Sequence, residues 1–170
     1  MDQKISKASV KIIVHADDFG LTEKINDGIL WAHRYGILTS TSIMANGQAF
    51  AHAVALARAA PRLDVGVHLT LIEERPLLDP HEIPTLVGAE GKFHAHAIQF
   101  TRRYIAGRIN LMEVAKELEA QVEKILSAGL NPTHLDSHQH VHMLPGVSRV
   151  AVALGRKYGI PAMRVPKEFD

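Results

Sequence analysis

Val10-Lys-Ile-Ile-Val-His-Ala16, followed at once by Asp17-Asp18-Phe19-Gly20, sets the pattern for the whole chain. The first seven residues are mostly apolar and rich in β-branched side chains, the composition of a buried strand. The run stops at two acids and, after Phe19, a glycine. Thr22 then stands where a helix N-cap belongs. Ile25, Ile29 and Ala32 recur on one face of a helix that stops near Gly36. A strand, a polar turn and an amphipathic helix form the first unit.

The unit repeats along the chain. Residues 39–44 (TSTSIM) read as a second strand, and 48–60 (QAFAHAVALARAA) as an alanine-rich helix stopped by Pro61. Residues 65–71 (VGVHLTL) form a third strand. Residues 72–108 lack a clean period; they carry Pro76, Pro80 and Pro84 and a short helix around 93–105. A stretch of this length in a compact domain is expected to be a functional loop or lid. Asn110 caps the clearest helix, with Leu111, Val114, Leu118, Val122 and Ile125 on its apolar face and Gly129 at its end. Residues 133–136 begin a fourth strand. Pro145 suits the first turn of a helix running to about Tyr158, with Gly159 just past it, and 162–165 read as a fifth strand. Strands alternating with helices predict an α/β fold, a parallel sheet with right-handed crossovers, either open or part of a (β/α) barrel.

With 170 residues the chain suits one domain around one core. A net charge of +1 makes no electrostatic case for nucleic acid or an anionic membrane as partner. The absence of cysteine excludes disulfides and thiolate metal sites. The first residues lack the apolar core of a secretory signal, and no apolar run approaches the ~20 residues of a membrane span. The expected location is the cytoplasm. The 11 histidines point towards metal chemistry, because neutral imidazole is the usual nitrogen ligand.

The polar residues gather where parallel sheets place their active sites, at the C-terminal ends of strands. Asp17 and Asp18 follow the first strand and His68 ends the third. His134, Asp136, His138, His140 and His142 accompany the fourth. Adjacent strand residues point to opposite sides, so Asp17 and Asp18 are free to do different jobs; an acid pair here also suits helix capping. His68 lies between apolar neighbours, where a histidine is ordinarily a core or rim residue. The run from His134 to His142 places four histidines and one aspartate at every second position. At ~3.3 Å per residue, His138 and His142 on one straight strand lie too far apart to share an ion. Two or three of the five at most can touch one cation, and a turn after Asp136 would free His138 to do so. A solvated strand end or a surface metal tract remains the alternative. A mixed Asp/His/His set leaves coordination places for water and substrate, the mark of a catalytic rather than a structural ion.

Three stretches, 14–50 (VHADDFGLTEKINDGILWAHRYGILTSTSIMANGQAF), 65–71 (VGVHLTL) and 133–146 (THLDSHQHVHMLPG), resemble the YdjC-like carbohydrate deacetylases in order and spacing. That family includes chitooligosaccharide and hopanoid-biosynthesis types, and MRVPKE (163–168) is similar to the latter. The resemblance implies a (β/α)-barrel-like fold and hydrolysis of the acetamide of an N-acetylated sugar. It implies one divalent ion, Mg or Zn, on Asp18, His68 and His138; by ligand type alone, Co and Mn also suit two histidines and a carboxylate. Asp17 would be the general base. Asp136, His140 and His142 would line the pocket or support the ligands, with His142 or His140 as general acid. Members of that family run on past the point where this chain stops. The expectation is therefore a single domain over 1–170 with an incomplete barrel, an exposed edge strand and a homodimer. Two other functions stay open. One is a metal- or sugar-binding protein without turnover, although Asp17 is then a base with no task. The other is a metal-dependent hydrolase of another amide, ester or phosphoester, with no basic cluster near the motifs to favour phosphate.

Overall fold

The computed structural model describes residues 11–166. Val10 and the 167–170 ending, to which two of the sequence readings refer, lie outside them. Five strands stand side by side in chain order, each neighbouring pair parallel. They are β1 (His15–Phe19), β2 (Ser40–Ile43), β3 (Asp64–Leu69), β4 (His134–Ser137) and β5 (Ala162–Met163). Between them run α1 (Glu23–Tyr35), α2 (Phe50–Arg58), α3 (Ala97–Ile105), α4 (Leu111–Ser127) and α5 (Pro145–Tyr158). Right-handed crossovers that always step in one direction put their helices on one side of the sheet. The result is an open α/β wall of the barrel type, with β1 and β5 at its edges.

The two-residue period of the strands divides its faces. Ile43, Val67, Leu69 and Leu135 are buried in the core, where Val114, Leu118, Val122 and Ile125 of α4 are also buried. Each of these side chains contributes about 1.5–3 kcal/mol relative to exposure. The alternate positions, His15, Ser40, Ser42, Gly66, His68, His134 and Asp136, are polar or glycine and make the other face. Gly66 is required there: a Cβ on it would stand 2.3 Å from the His134 ring.

The first strand begins later than its composition predicts. Ile12 and Ile13 are about three-quarters exposed, and the ladder with β2 opens only at His15 opposite Ser40. The apolar run is longer than its partner: Val14 still accepts from the Thr39 and Ser40 N–H groups, and 11–13 reaches past the start of the ladder. Asp17 and Asp18 consequently lie inside β1 rather than after it. The register with β2 slips between Ala16 and Phe19, a bulge at which Asp18 takes a left-handed φ of 65°. Aspartate is among the few side chains that tolerate this conformation.

Two contacts lock the bulge. Asn26 of α1, wholly buried, accepts from the Gly20 N–H at 2.6 Å and donates to the Ala49 carbonyl at 3.1 Å. Gly47 lies against the same turn, where a Cβ would come within 2.2 Å of the Gly20 oxygen.

Residues 70–96 do not form a loose lid. Leu71, Ile72, Ile83, Leu86 and Phe93 are buried, and three residues of α4 bind the backbone. Gln121 brackets the N–H and carbonyl of Thr70, at 2.9 and 2.8 Å. Glu117 accepts from Leu77 and Leu78, both at 3.0 Å. Glu113 accepts from the N–H and the hydroxyl of Thr85. Burial raises the pKa of Glu117 above the usual carboxylate value.

Asn26→Ala strands the Gly20 N–H and the Ala49 carbonyl in the interior. It should destabilise the protein by about 1–3 kcal/mol per unpaired group, read as a lower urea midpoint at unchanged slope. A midpoint equal to that of the parent would show the latch to be idle.

Candidate metal centre

The bulge aims Asp18 at the polar face, where it meets two imidazoles carried by other strands. Its Oδ1 lies 3.2 Å from His68 Nε2 and 2.9 Å from His138 Nδ1, and the two nitrogens are 3.4 Å apart. His68 ends β3 and is almost wholly buried. His138 follows β4, where a 3-10 turn over His138–Met143 contains left-handed Gln139 and His140 and swings the chain across the strand ends. The fourth strand thus turns one residue later than the sequence reading placed it.

The outer nitrogens of both rings are also held. His68 Nδ1 meets Ser42 Oγ at 2.8 Å, and His138 Nε2 meets Glu73 Oε2 at 3.0 Å. Each partner can take the outer N–H and turn the inner lone pair towards Asp18, the usual way a protein prepares a histidine for a cation. Two inward lone pairs and a carboxylate oxygen at mutual distances of 2.9 to 3.4 Å could hold a divalent ion; without one, a proton fills the gap. In keeping with that, the Asp18 bond raises the pKa of His138 to about 9, with Glu73 adding to it, and the His138 and His68 bonds hold Asp18 well below the usual carboxylate range.

A second group lies beside the first. Arg164, just past β5, donates through Nη1 to Asp17 Oδ1 at 2.9 Å and to Asp136 Oδ2 at 2.8 Å. Asp136 is fully buried, so the guanidinium supplies a charge that its site otherwise lacks. Asp17 is well below the usual carboxylate range, chiefly through its bond to His15, with His68 and Arg164 adding to it. Combinations of Asp136 with His140 and His142, or with His15 and Asp17, also cluster closely enough for a metal. Arg164 already occupies the cationic place in both.

His142 is enclosed. Its Nδ1 meets Ser137 Oγ at 2.5 Å and its Nε2 donates to the Arg164 carbonyl at 2.8 Å, so neither nitrogen faces a substrate. This geometry takes His142 out of the role of proton donor expected from the resemblance. His140 is 39% exposed, with Nδ1 3.8 Å from Asp136 Oδ1.

The wall and the sequence have counterparts among known proteins. The family described as YdjC-like protein matches residues 11–170. The chain belongs to the YdjC-like family. A carbohydrate deacetylase of Brevibacillus brevis is 39% identical over 163 residues, 94% of this chain and 61% of that protein. A chitooligosaccharide deacetylase of Serratia marcescens is 37% identical over 158 residues, 92% of this chain and 60% of that protein. A crystal structure from Enterococcus faecalis V583, whose assigned name is cellobiose-phosphate cleavage protein, superposes with a TM-score of 0.82 at 37% identity. It covers 92% of this chain and 59% of that one. The chain therefore spans about three-fifths of the length of these YdjC-like relatives. Among the described residues no helix is long and apolar enough to cross a membrane.

Sequence reasoning missed Glu73, Arg164, His15 and Ser42. Glu73 carried a faint signal, as an acid just past a strand end inside the aperiodic stretch; the others carried none beyond their place on or beside strands.

Two outcomes follow from the titrating groups. His138 binds its proton more tightly folded than unfolded, so its contribution is complete below 6.5 and is lost as pH rises through about 9. Burial lowers the pKa of His134 and His142, so stability is lost as pH falls below 6.5 and the unfolded chain takes up protons that the folded one resists. Chelator-treated protein should melt highest near pH 6.5 and lower both towards pH 9 and at more acidic pH, and a profile flat from 5 to 10 would contradict this. A divalent ion must displace the His138 proton, so calorimetric affinity for zinc should climb steadily from pH 6.5 towards 9. Affinity independent of pH would mean that His138 is not a ligand.

Proposed function

We propose that this cluster is the catalytic centre of a metal-dependent hydrolase that removes the acetyl group from an N-acetylated sugar. The observation that carries the reading is the division of labour between adjacent carboxylates. Asp18 is spent on the two imidazoles. Asp17 stays outside that set and presents an oxygen, Oδ2, with no partner among the described residues. A pure binding site has no use for the second acid. The names of the relatives from Brevibacillus brevis and Serratia marcescens support the same chemistry.

Asp18, His68 and His138 would hold the ion. When bound, a divalent ion there makes water more acidic and polarises the acetyl carbonyl. Asp17 Oδ2 accepts the proton of the attacking water, while Arg164 on Oδ1 keeps the group ionised and fixed. The departing amine needs a proton, and His140 supplies it: its ring is partly exposed and Asp136 lies behind Nδ1. Phosphate recognition fits less well, because the guanidinium of Arg164 beside the cluster is already shared by two carboxylates. Binding without turnover remains the competing reading, and the same experiment separates the two.

Acetate release from N-acetylglucosamine oligosaccharides, assayed with zinc, manganese or magnesium, should fall about 100- to 10,000-fold in Asp17→Asn. Metal affinity in that variant should stay within a few-fold. His68→Ala should lose both. Undiminished turnover in Asp17→Asn would remove the base from the scheme; metal binding with no acetate released from any N-acetylated sugar would favour the binding protein.

A further inference from the structure

Between the two carboxylates lies a residue that neither the ligand set nor the proton transfers use. His15 is half-buried on β1, two positions before Asp17 on the same face of the strand. Its Nδ1 lies 3.0 Å from Ser40 Oγ. Its Nε2 lies 3.2 Å from Ser42 Oγ and 3.2 Å from Asp17 Oδ1. Ser42 Oγ also meets His68 Nδ1 at 2.8 Å. A continuous chain of polar contacts thus runs from Asp17 through His15 and Ser42 to His68, its first link an ion-pair contact and the others hydrogen bonds.

The proton placement along this chain is constrained. For His68 to offer its Nε2 to a cation, its Nδ1 must carry the hydrogen and donate to Ser42 Oγ. For His15 to bond the Asp17 carboxylate, its Nε2 must carry the hydrogen, and the Ser40 hydroxyl then donates to Nδ1. Ser42 Oγ has two lone pairs, enough to accept from His68 and take a share of the His15 N–H. One arrangement satisfies every contact, and in it both rings hold the tautomers that their neighbours need. Ser40 and Ser42 sit two apart on β2, so the strand itself sets the spacing.

Every partner of Asp17 falls on one oxygen. Arg164 donates to Oδ1 and His15 Nε2 lies 3.2 Å from the same oxygen, and Oδ2 is left over. Arg164 alone would leave the carboxylate free to swivel about that bond. A second donor, fixed on its own strand by two serines, stops the rotation.

We infer that His15 is a positioning residue: through its bond to Asp17 Oδ1, braced by Ser40 and Ser42, it fixes the orientation in which Oδ2 takes the proton, and it ties that orientation to the ligand His68. This rests on the reading of Asp17 as the base. His15 touches neither substrate nor ion; its effect on proton transfer passes through Asp17, the nearer of the two carboxylates its Nε2 faces, Asp136 Oδ2 lying at 3.6 Å.

His15→Ala, His15→Gln, Asp17→Asn and the double variant His15→Ala/Asp17→Asn test it together. His15→Ala should lower kcat about 10- to 100-fold, with KM within about twofold and zinc affinity within about threefold. Glutamine places an N–H near the position of Nε2, and His15→Gln should recover most of the loss. The double variant should be no worse than Asp17→Asn, since a group acting only through Asp17 has nothing left to position. Nitrogen-15 imidazole spectra of the metal-free protein should show His15 protonated at Nε2, with that resonance moved by Asp17→Asn; this readout decides even where turnover is absent. A His15→Gln as poor as His15→Ala, an additive loss in the double variant, a parallel loss of zinc affinity, or a His15 bare at Nε2 would overturn the inference. Full activity in Asp17→Asn would sink the base itself. An inactive Asp17→Asn beside an unaffected His15→Ala would sink this inference alone.

Discussion

The whole centre depends on a backbone irregularity two residues long. A regular β1 would send Asp17 and Asp18 to opposite faces of the sheet, one of them into the helices. The bulge between Ala16 and Phe19, with Asp18 at positive φ, turns both carboxylates into one cluster. Such a conformation costs energy and persists only when its surroundings over-determine it. Asn26, buried between Gly20 and Ala49, and the bare face of Gly47 supply that determination. Bulges re-aim side chains elsewhere for the same reason, by breaking the two-residue period at a chosen place.

Much of the rest is a consequence of direction. In a sheet whose strands all run one way, residues distant in sequence arrive at the same rim. Asp18, His68 and His138 come from three strands or their ends and still meet within hydrogen-bond distance. The polar face below them extends the same logic, with His15, Ser40, Ser42 and His134 at alternate positions on neighbouring strands. It is a face on which charge and hydrogen bonding are organised several residues deep, from the rim down towards the strand starts.

That organisation was partly legible in the sequence. The alternation of strand and helix, the caps at Thr22 and Asn110, and the left-handed Gly159 after α5 all follow local rules and stand where those rules put them. The convergence of Asp18, His68 and His138 followed from topology. The onset of β1 did not, because an apolar run cannot report that its neighbour is shorter. The burial of Glu113, Glu117 and Gln121 was equally hidden: at four-residue spacing beside an apolar stripe, they look like any solvated helix face. Arg164 and Glu73 escaped because their roles depend on partners 147 and 65 positions away along the chain. The enclosure of His142 depends on a backbone carbonyl, a group that no side-chain pattern reveals.

The rungs that α4 extends to Thr70, Leu77, Leu78 and Thr85 have a bearing on how the rim can change. They stop at Thr85, whereas the tip that closes between Gly88 and Lys92 hangs beyond them and bends back on its own hydrogen bonds. Glu73 is joined to the returning arm of that hairpin, its N–H donating to the His94 carbonyl at 2.9 Å. Rewriting that hairpin therefore bears on two things at once: what approaches the cleft, and the acid that holds the outer nitrogen of His138.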